Sequence, residues 1–115
     1  MSFNSCARCR TLFDASLRSG ERRLVAVHGL CNIPASAKAV SVNVAAVLPT
    51  AMGYLTLYPG DATAPLASTI NFDAGQVRSN NAFLFLSGDG VAAVVPLVGS
   101  NGLVDLVIDV NGYFE

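Results

Sequence analysis

Apolar and polar positions alternate with a period of two through much of the chain. Within residues 39–48, Val40, Val42, Val44, Ala46 and Leu48 fall on one face and Ser41, Asn43, Ala45 and Val47 on the other. That period, with β-branched residues on the apolar side, is the pattern of a half-buried strand. Pro49, Thr50, Ala51, Met52 and Gly53 interrupt it, and Tyr54, Leu55, Thr56, Leu57 and Tyr58 resume it until Pro59 and Gly60. The two segments are expected to form a β-hairpin with a long loop. Further strands are predicted at residues 24–28, 68–72, 82–86, 91–95 and 103–110, each bounded by Gly, Pro, Asn or Asp. In the last of these, Val104, Leu106, Ile108 and Val110 face one way. Leu103, Asp105, Val107, Asp109 and Asn111 face the other, and that face, with its two carboxylates, is expected to meet solvent, a partner or a ligand.

Breakers at this spacing predict a single all-β domain over residues 1–115, an antiparallel β-sandwich or flattened barrel of about seven to nine strands. The last strand is expected at the centre of the core, and residues 1–8 as a disordered or loosely attached N-terminal segment. Residues 34–40 are helix-compatible but too few for more than one turn.

Composition changes this picture in one respect. The chain is 52% hydrophobic and 13% charged, against about a quarter charged in ordinary soluble domains. A two-layer sandwich buries one face of each sheet, so a second apolar face needs a cover. Residues 82–86 and 91–98 are apolar on both faces, which predicts association with a second copy of the chain through Phe83, Phe85, Val95 and Leu97.

The formal net charge of −1 leaves no electrostatic footprint for nucleic acid or an acidic membrane. The densest charged cluster, Arg18, Glu21, Arg22 and Arg23, reads as a solvated loop or strand edge. The uncharged run of residues 39–60 contains Asn43, Pro49 and Gly53 and alternates, so it reads as strands and not as a membrane-spanning helix. Residues 1–10 are polar and carry no signal peptide, which is compatible with cytoplasmic residence, a removed leader or a domain of a longer chain.

Candidate chemistry is sparse. Cys6, Cys9, His28 and Cys31 fall as C-x-x-C followed by H-x-x-C, a spacing that would close a tetrahedral zinc site. His28 is the one histidine, and no nucleophile motif such as G-x-S-x-G accompanies it, so a catalytic triad is not expected. Asp105 and Asp109 share a strand face but lie roughly 13 Å apart along it, too far for a glycosidase carboxylate pair. Asp109, Asn111 and Gly112 are spaced like the start of a calcium loop, without its distal glutamate. Tyr54, Thr56 and Tyr58 share a face, with Asn43 and Ser41 as expected cross-strand neighbours. An aromatic and amide patch of that kind would stack on a sugar ring and fix its hydroxyls; the competing reading places the tyrosines in the core or in a subunit interface.

Seven segments occur together in order: Cys31-Asn-Ile-Pro34, Ala39-Val-Ser-Val-Asn-Val44, Gly53-Tyr-Leu-Thr-Leu-Tyr-Pro59, Ser68-Thr-Ile-Asn-Phe72, Gly75-Gln76, Asn80-Asn-Ala82 and Asp109-Val-Asn-Gly-Tyr-Phe114. From about Cys9 onward the chain resembles a β-rich accessory module of secreted and surface proteins of soil and related bacteria, a module without an assigned activity. The resemblance implies an extracellular or cell-surface location, and a disulfide between Cys9 and Cys31 with Cys6 left over. It departs from that pattern near the start, where Asp14-Ala15-Ser16 stands in place of an Asp-Thr-Arg, without its Arg, and only Leu17 to Gly20 stand in place of a longer glycine-rich loop. The expected function is therefore a non-catalytic interaction or adhesion module without a cofactor, with carbohydrate as the ligand of Tyr54, Thr56, Tyr58 and Asn43. The alternatives are a purely structural homo-oligomerising domain and a small metal-dependent hydrolase.

Overall fold

The computed structural model describes residues 2–12, 16–63 and 69–115, and for residues 6–12 and 31 the backbone alone. Its described strands are β1 (Phe3–Leu12), β2 (Leu17–Arg18), β3 (Arg23–Ala26), β4 (Ala39–Val47), β5 (Gly53–Pro59), β6 (Ile70–Phe72), β7 (Val77–Phe85), β8 (Val91–Val98) and β9 (Leu103–Phe114). Two 3-10 turns, Leu30–Asn32 and Gly99–Asn101, complete the regular structure. Residues 34–40 hold one hydrogen-bonded turn, in which Ala37 N–H donates to Pro34 O at 3.0 Å, before Ala39 enters β4.

The strands form two antiparallel sheets. Sheet 1 has the order β1-β9-β4-β7, with β2 also paired to β9, and sheet 2 has the order β3-β8-β5-β6. β1 pairs with β9 as far as Leu12 opposite Val107, and β2 continues along the same edge with Leu17 opposite Val104. After β2 the chain passes back and forth between the sheets, except that β5 and β6 are neighbours in sheet 2. Counting β1 and β2 as one interrupted strand, this is the eight-stranded jelly-roll arrangement of a β-sandwich.

The alternation read from the sequence selects the inner faces. Val40, Val42, Val44 and Ala46 of β4 meet Val104, Leu106, Ile108 and Val110 of β9 on the inner side of sheet 1. Leu55 and Leu57 of β5, Ala92 and Val94 of β8 and Phe72 of β6 face them from sheet 2. β9 is an interior strand of sheet 1, between β1 and β4, and its apolar face lies in the core as expected of the last strand. Pro96 is fully buried in β8, an interior strand, yet leaves no ladder bond unmade. β3 ends its pairing at Arg23 opposite Val94, so the side of Pro96 that lacks an N–H faces no strand, and Pro96 O accepts instead from Gly20 N–H at 2.7 Å.

Three expectations are corrected here. β4 and β5 do not form a hairpin: β4 pairs with β7 and β9, β5 with β6 and β8. Both strands read as hairpin arms locally, but each is apolar enough on its inner face to be an interior strand, and the loop at Pro49 crosses from one sheet to the other. Phe83 and Phe85 lie on the outer face of sheet 1, whereas Val95 and Leu97 lie on the outer face of sheet 2, so the four do not make one contact surface. Residues 3–5, expected to be loose, pair with residues 112–114 of β9. No helix among the described residues is long and apolar enough to cross a membrane; the uncharged run of residues 39–60 is occupied by β4 and β5.

Candidate functional site

The predicted tyrosine patch is divided by the fold. Tyr54, Thr56 and Tyr58 all point to the outer face of sheet 2, but only Tyr54 is exposed; Thr56 and Tyr58 are 6% and 5% accessible. Arg22 is the reason for the second burial. Its Nε donates to the Tyr58 hydroxyl at 3.0 Å, its guanidinium stands 5.8 Å from the ring centroid, and its terminal nitrogen donates to Gly60 O. Thr56 lies opposite Val95 and Tyr58 opposite Ala93 in the middle of the sheet. Asn43 sits on the other sheet, between Asn81 of β7 and Asp109 of β9. Asn43, Thr56 and Tyr58 are therefore not neighbours of Tyr54 in a common site.

Tyr54 itself borders a shallow cleft of about 330 Å³ lined by Met52, Gly53, Tyr54, Asn71, Phe72, Asp73 and Arg78. The cleft lies where the β6 edge of sheet 2 meets the β7 edge of sheet 1. Tyr54 is opposite Asn71 in the β5–β6 pair, and Arg78 reaches from β7 to Asn71 O. An aromatic face, an amide, a carboxylate and a guanidinium thus surround one opening. Asn71 falls in the Ser68–Phe72 segment, but it shares no motif with Asp73 and Arg78, because the three come from β6, a turn and β7.

The remaining chemical candidates stay separate. His28 is half-buried, and its Nε2 lies 3.0 Å from Ala37 O, with which it forms a hydrogen bond. Ring and turn interlock: a Cβ on Gly90 would lie 2.0 Å from His28 Cγ. β1 passes beside the turn at Leu30–Asn32; the side chains of Cys6, Cys9 and Cys31, and with them both the zinc and the disulfide expectations, lie outside the described residues, as does Asp14. No group of three or more His, Cys, Asp or Glu is placed to hold a metal among the described residues. Asp105 is exposed and accepts a hydrogen bond from Ser16 Oγ. Asp109, expected on a solvent-facing strand, is 4% accessible and engaged. Its position explains this: it sits mid-sheet, flanked by Arg10 of β1 and Asn43 of β4. Asp105 and Asp109 are not brought together.

The outer face of sheet 1 is the more extensive surface feature. Phe83 and Phe85 of β7 are 73% and 58% exposed, Phe3 is exposed near them, and Val77 is exposed on the same face at the other end of the strand. Phe114 joins the cluster, its ring 5.5 Å from Phe83 in an edge-to-face arrangement and 5.0 Å from Phe3. Gly112 makes this possible, since a Cβ there would meet the Phe3 ring at 2.4 Å. The pairing of β4 and β9 shifts register between Ser41 and Val42, which leaves Asn111 as the extra residue of a bulge. Ser41, Asn81, Ala82, Phe83 and Asn111 line a groove of about 310 Å³ beside the aromatic cluster. Phe83 and Phe85 were legible as surface candidates; Phe3 and Phe114 were not, because the adjacency of β1 and β9 is a long-range feature.

No protein-family model matches the chain, and no curated protein does. Among solved structures it is similar to the coat protein of Tobacco streak virus. One crystal form of that protein matches at a TM-score of 0.50 and 16% identity, over 90% of this chain and 85% of that one. A structure of the coat protein dimer matches at the same score and identity, over 94% and 86%. At this identity the likeness is one of fold, and it agrees with the jelly-roll strand order.

Proposed function

We propose that this domain is a non-catalytic structural module that associates with a second copy of itself through the outer face of sheet 1. The observation that carries the reading is the aromatic cluster of Phe3, Phe83, Phe85 and Phe114, a contiguous apolar surface that no layer covers among the described residues. Surfaces of this kind on soluble domains mark contacts with other chains. The similarity of fold to a coat protein crystallised as a dimer supports the same reading. Static light scattering at micromolar concentration tests it: a dimer or larger closed assembly is expected, weakened by Phe83→Ser, and a monomer refutes it.

A second reading keeps carbohydrate as a ligand, confined to the Tyr54 cleft. What favours it is the convergence of Tyr54, Asn71, Asp73 and Arg78 on one opening. Glycan-array binding abolished by Tyr54→Ala would support this reading, and binding insensitive to that change would remove it. The extracellular or surface location implied by the bacterial resemblance belongs to the same proposal and rests on those sequence motifs.

A further inference from the structure

The open edge of sheet 1 has a definite hydrogen-bonding phase. β7 pairs with β4 without a bulge, from Ala39 opposite Phe85 to Val47 opposite Val77. In that same register Leu86 N–H donates to Lys38 O and Leu48 N–H to Gln76 O. Even-numbered residues of β7 therefore exchange their backbone bonds with β4. The odd-numbered residues Val77, Ser79, Asn81, Phe83 and Phe85 aim theirs away from the sheet. Among the described residues, β7 has no strand on that side and nothing bonds these outward groups.

The adjacent edge of sheet 2 is treated differently. Asn80 Nδ2 donates to Thr69 O at 3.2 Å and Arg78 reaches Asn71 O, so side chains of β7 occupy carbonyls of the β6 segment. Proteins blunt exposed edges with such devices, with proline, with lysine or with bulges. β7 blunts its neighbour's edge and on its own carries no proline, lysine or bulge, and a single charge, Arg78, which is engaged with Asn71 O.

We propose that β7 pairs edge to edge with β7 of a second copy, antiparallel about a two-fold axis at Asn81, joining the two copies of sheet 1 into one continuous sheet. This rests on the self-association proposed above and places the contact at the β7 edge that borders the aromatic face. Antiparallel pairing sets outward residues opposite outward residues, and an axis at Asn81 is the register that uses all five: Val77 opposite Phe85, Ser79 opposite Phe83, Asn81 opposite its own copy. Each pair exchanges two backbone bonds. Val77 then packs on Phe85 on the outer face, and the two Asn81 amides meet across the axis. Arg78 is the strand's one charge, and this register opposes it to Leu84, which keeps the two copies of Arg78 about 20 Å apart. Phe83 and Phe85 each expose on the order of 100 Å². Edge pairing covers only the flanks of these rings that face Ser79 and Val77 of the second copy, together with Val77 and the strand backbone, which places the contact at the small end of specific interfaces, near or below about 1,000 Å².

Two variants and a control test the register. Opposed residues of a hydrogen-bonded pair have Cα atoms about 5.5 Å apart, within disulfide reach. Under mild oxidation Asn81→Cys should give a covalent dimer on a non-reducing gel. Ser79→Cys and the unmodified protein, which carries the same native cysteines, should not. Asn81→Pro removes an outward N–H without touching the β4 ladder, and should weaken dimerisation by about 100-fold or more, read by light scattering across a dilution series. If Asn81→Pro dimerises normally and Asn81→Cys does not cross-link, while Phe83→Ser yields a monomer, edge pairing is overturned and association through the outer face stands. Should Asn81→Pro fail to fold, the cross-linking pattern decides alone. An unmodified protein that is monomeric overturns both proposals.

Discussion

Replacing Gly90 by alanine should be among the more damaging single-methyl changes in the domain. Gly90 lies at φ +73° in the turn before β8, where its N–H donates to Ser87 O and its carbonyl accepts from both Val27 and His28 N–H. A left-handed residue with a Cβ costs about 1 kcal/mol. Here the added carbon would also lie 2.0 Å from His28 Cγ, so the ring must leave its place and its bond to Ala37 O. Losing that bond costs about 1 kcal/mol, and forcing an extra carbon into a packed site costs about 1–3 kcal/mol. Gly75 supplies the reference, with the same φ of +73° and nothing within 4 Å of its added Cβ. Gly75→Ala should therefore show the backbone cost alone. Urea unfolding at one protein concentration separates the two. With a slope of about 1.5 kcal/mol per molar, the Gly90→Ala midpoint should fall about 2 M below that of Gly75→Ala. In a His28→Ala background most of the excess should vanish, a coupling of about 2 kcal/mol in the double-mutant cycle. Equal midpoints for the two glycine variants would show that His28 is not held where this argument needs it.

Arg22→Ala uncovers the Tyr58 ring and leaves its hydroxyl without the 3.0 Å bond, and should cost about 1–2 kcal/mol in thermal unfolding; a change within error would mean that Arg22 only rests on the surface. The hydrogen bond from Arg23, followed by that from the Arg18 N–H, holds the Glu21 carboxyl below the ordinary glutamate range. Because the folded value is the lower one, this contribution to stability is complete above the ordinary glutamate range and is lost as pH falls through the folded value. NMR titration of Glu21 should therefore show a midpoint that rises in Arg23→Ala, and an unmoved midpoint would discard the pairing. Leu48 is exposed and left-handed, at φ 48°, so Leu48→Asn should raise stability by about 0.5–1 kcal/mol in urea unfolding, and a loss would refute the strain. Leu55→Ala, at a fully buried position of β5, should cost about 2–5 kcal/mol by the same assay; less than 1 kcal/mol would place Leu55 outside the core.

Period-two patterning carried most of the architecture. Each strand expected from alternation is present over at least part of its range, and Val104, Leu106, Ile108 and Val110 are buried as their spacing requires. What alternation does not encode is pairing. The segments of β4 and β5 look like the arms of a hairpin because each satisfies a local rule, and only the competition of two sheets for the same inner faces sends them apart. The same separation divides the site, since only a β4–β5 hairpin would set Asn43 beside Tyr54. Asp109 failed for a related reason: a carboxylate on an alternating strand reads as exposed unless the strands on both sides are known. β1 was not legible because its residues 3–12 alternate weakly and its partner lies about a hundred residues away. Neither Arg22 over Tyr58 nor Gly112 beneath Phe3 leaves a trace in local sequence; both follow from tertiary proximity.

In sheet 1 no two bonded strands are consecutive in the chain, and in sheet 2 only β5 and β6 are. Almost every ladder must therefore close a long loop before its bonds reward the closure. The kinetic consequence is slow acquisition of structure, in milliseconds to seconds and not in the microseconds open to local helical folds. β9 is the point of convergence, because β1, β2 and β4 all pair with it. Until it docks, β4 has β7 and no second neighbour, and Val42 and Val44 have nothing from β9 beside them. The rate should thus be set by the meeting of β4 and β9. Truncations at Val44 or Ile108 would slow refolding in proportion to their cost, whereas changes confined to β6 would chiefly hasten unfolding.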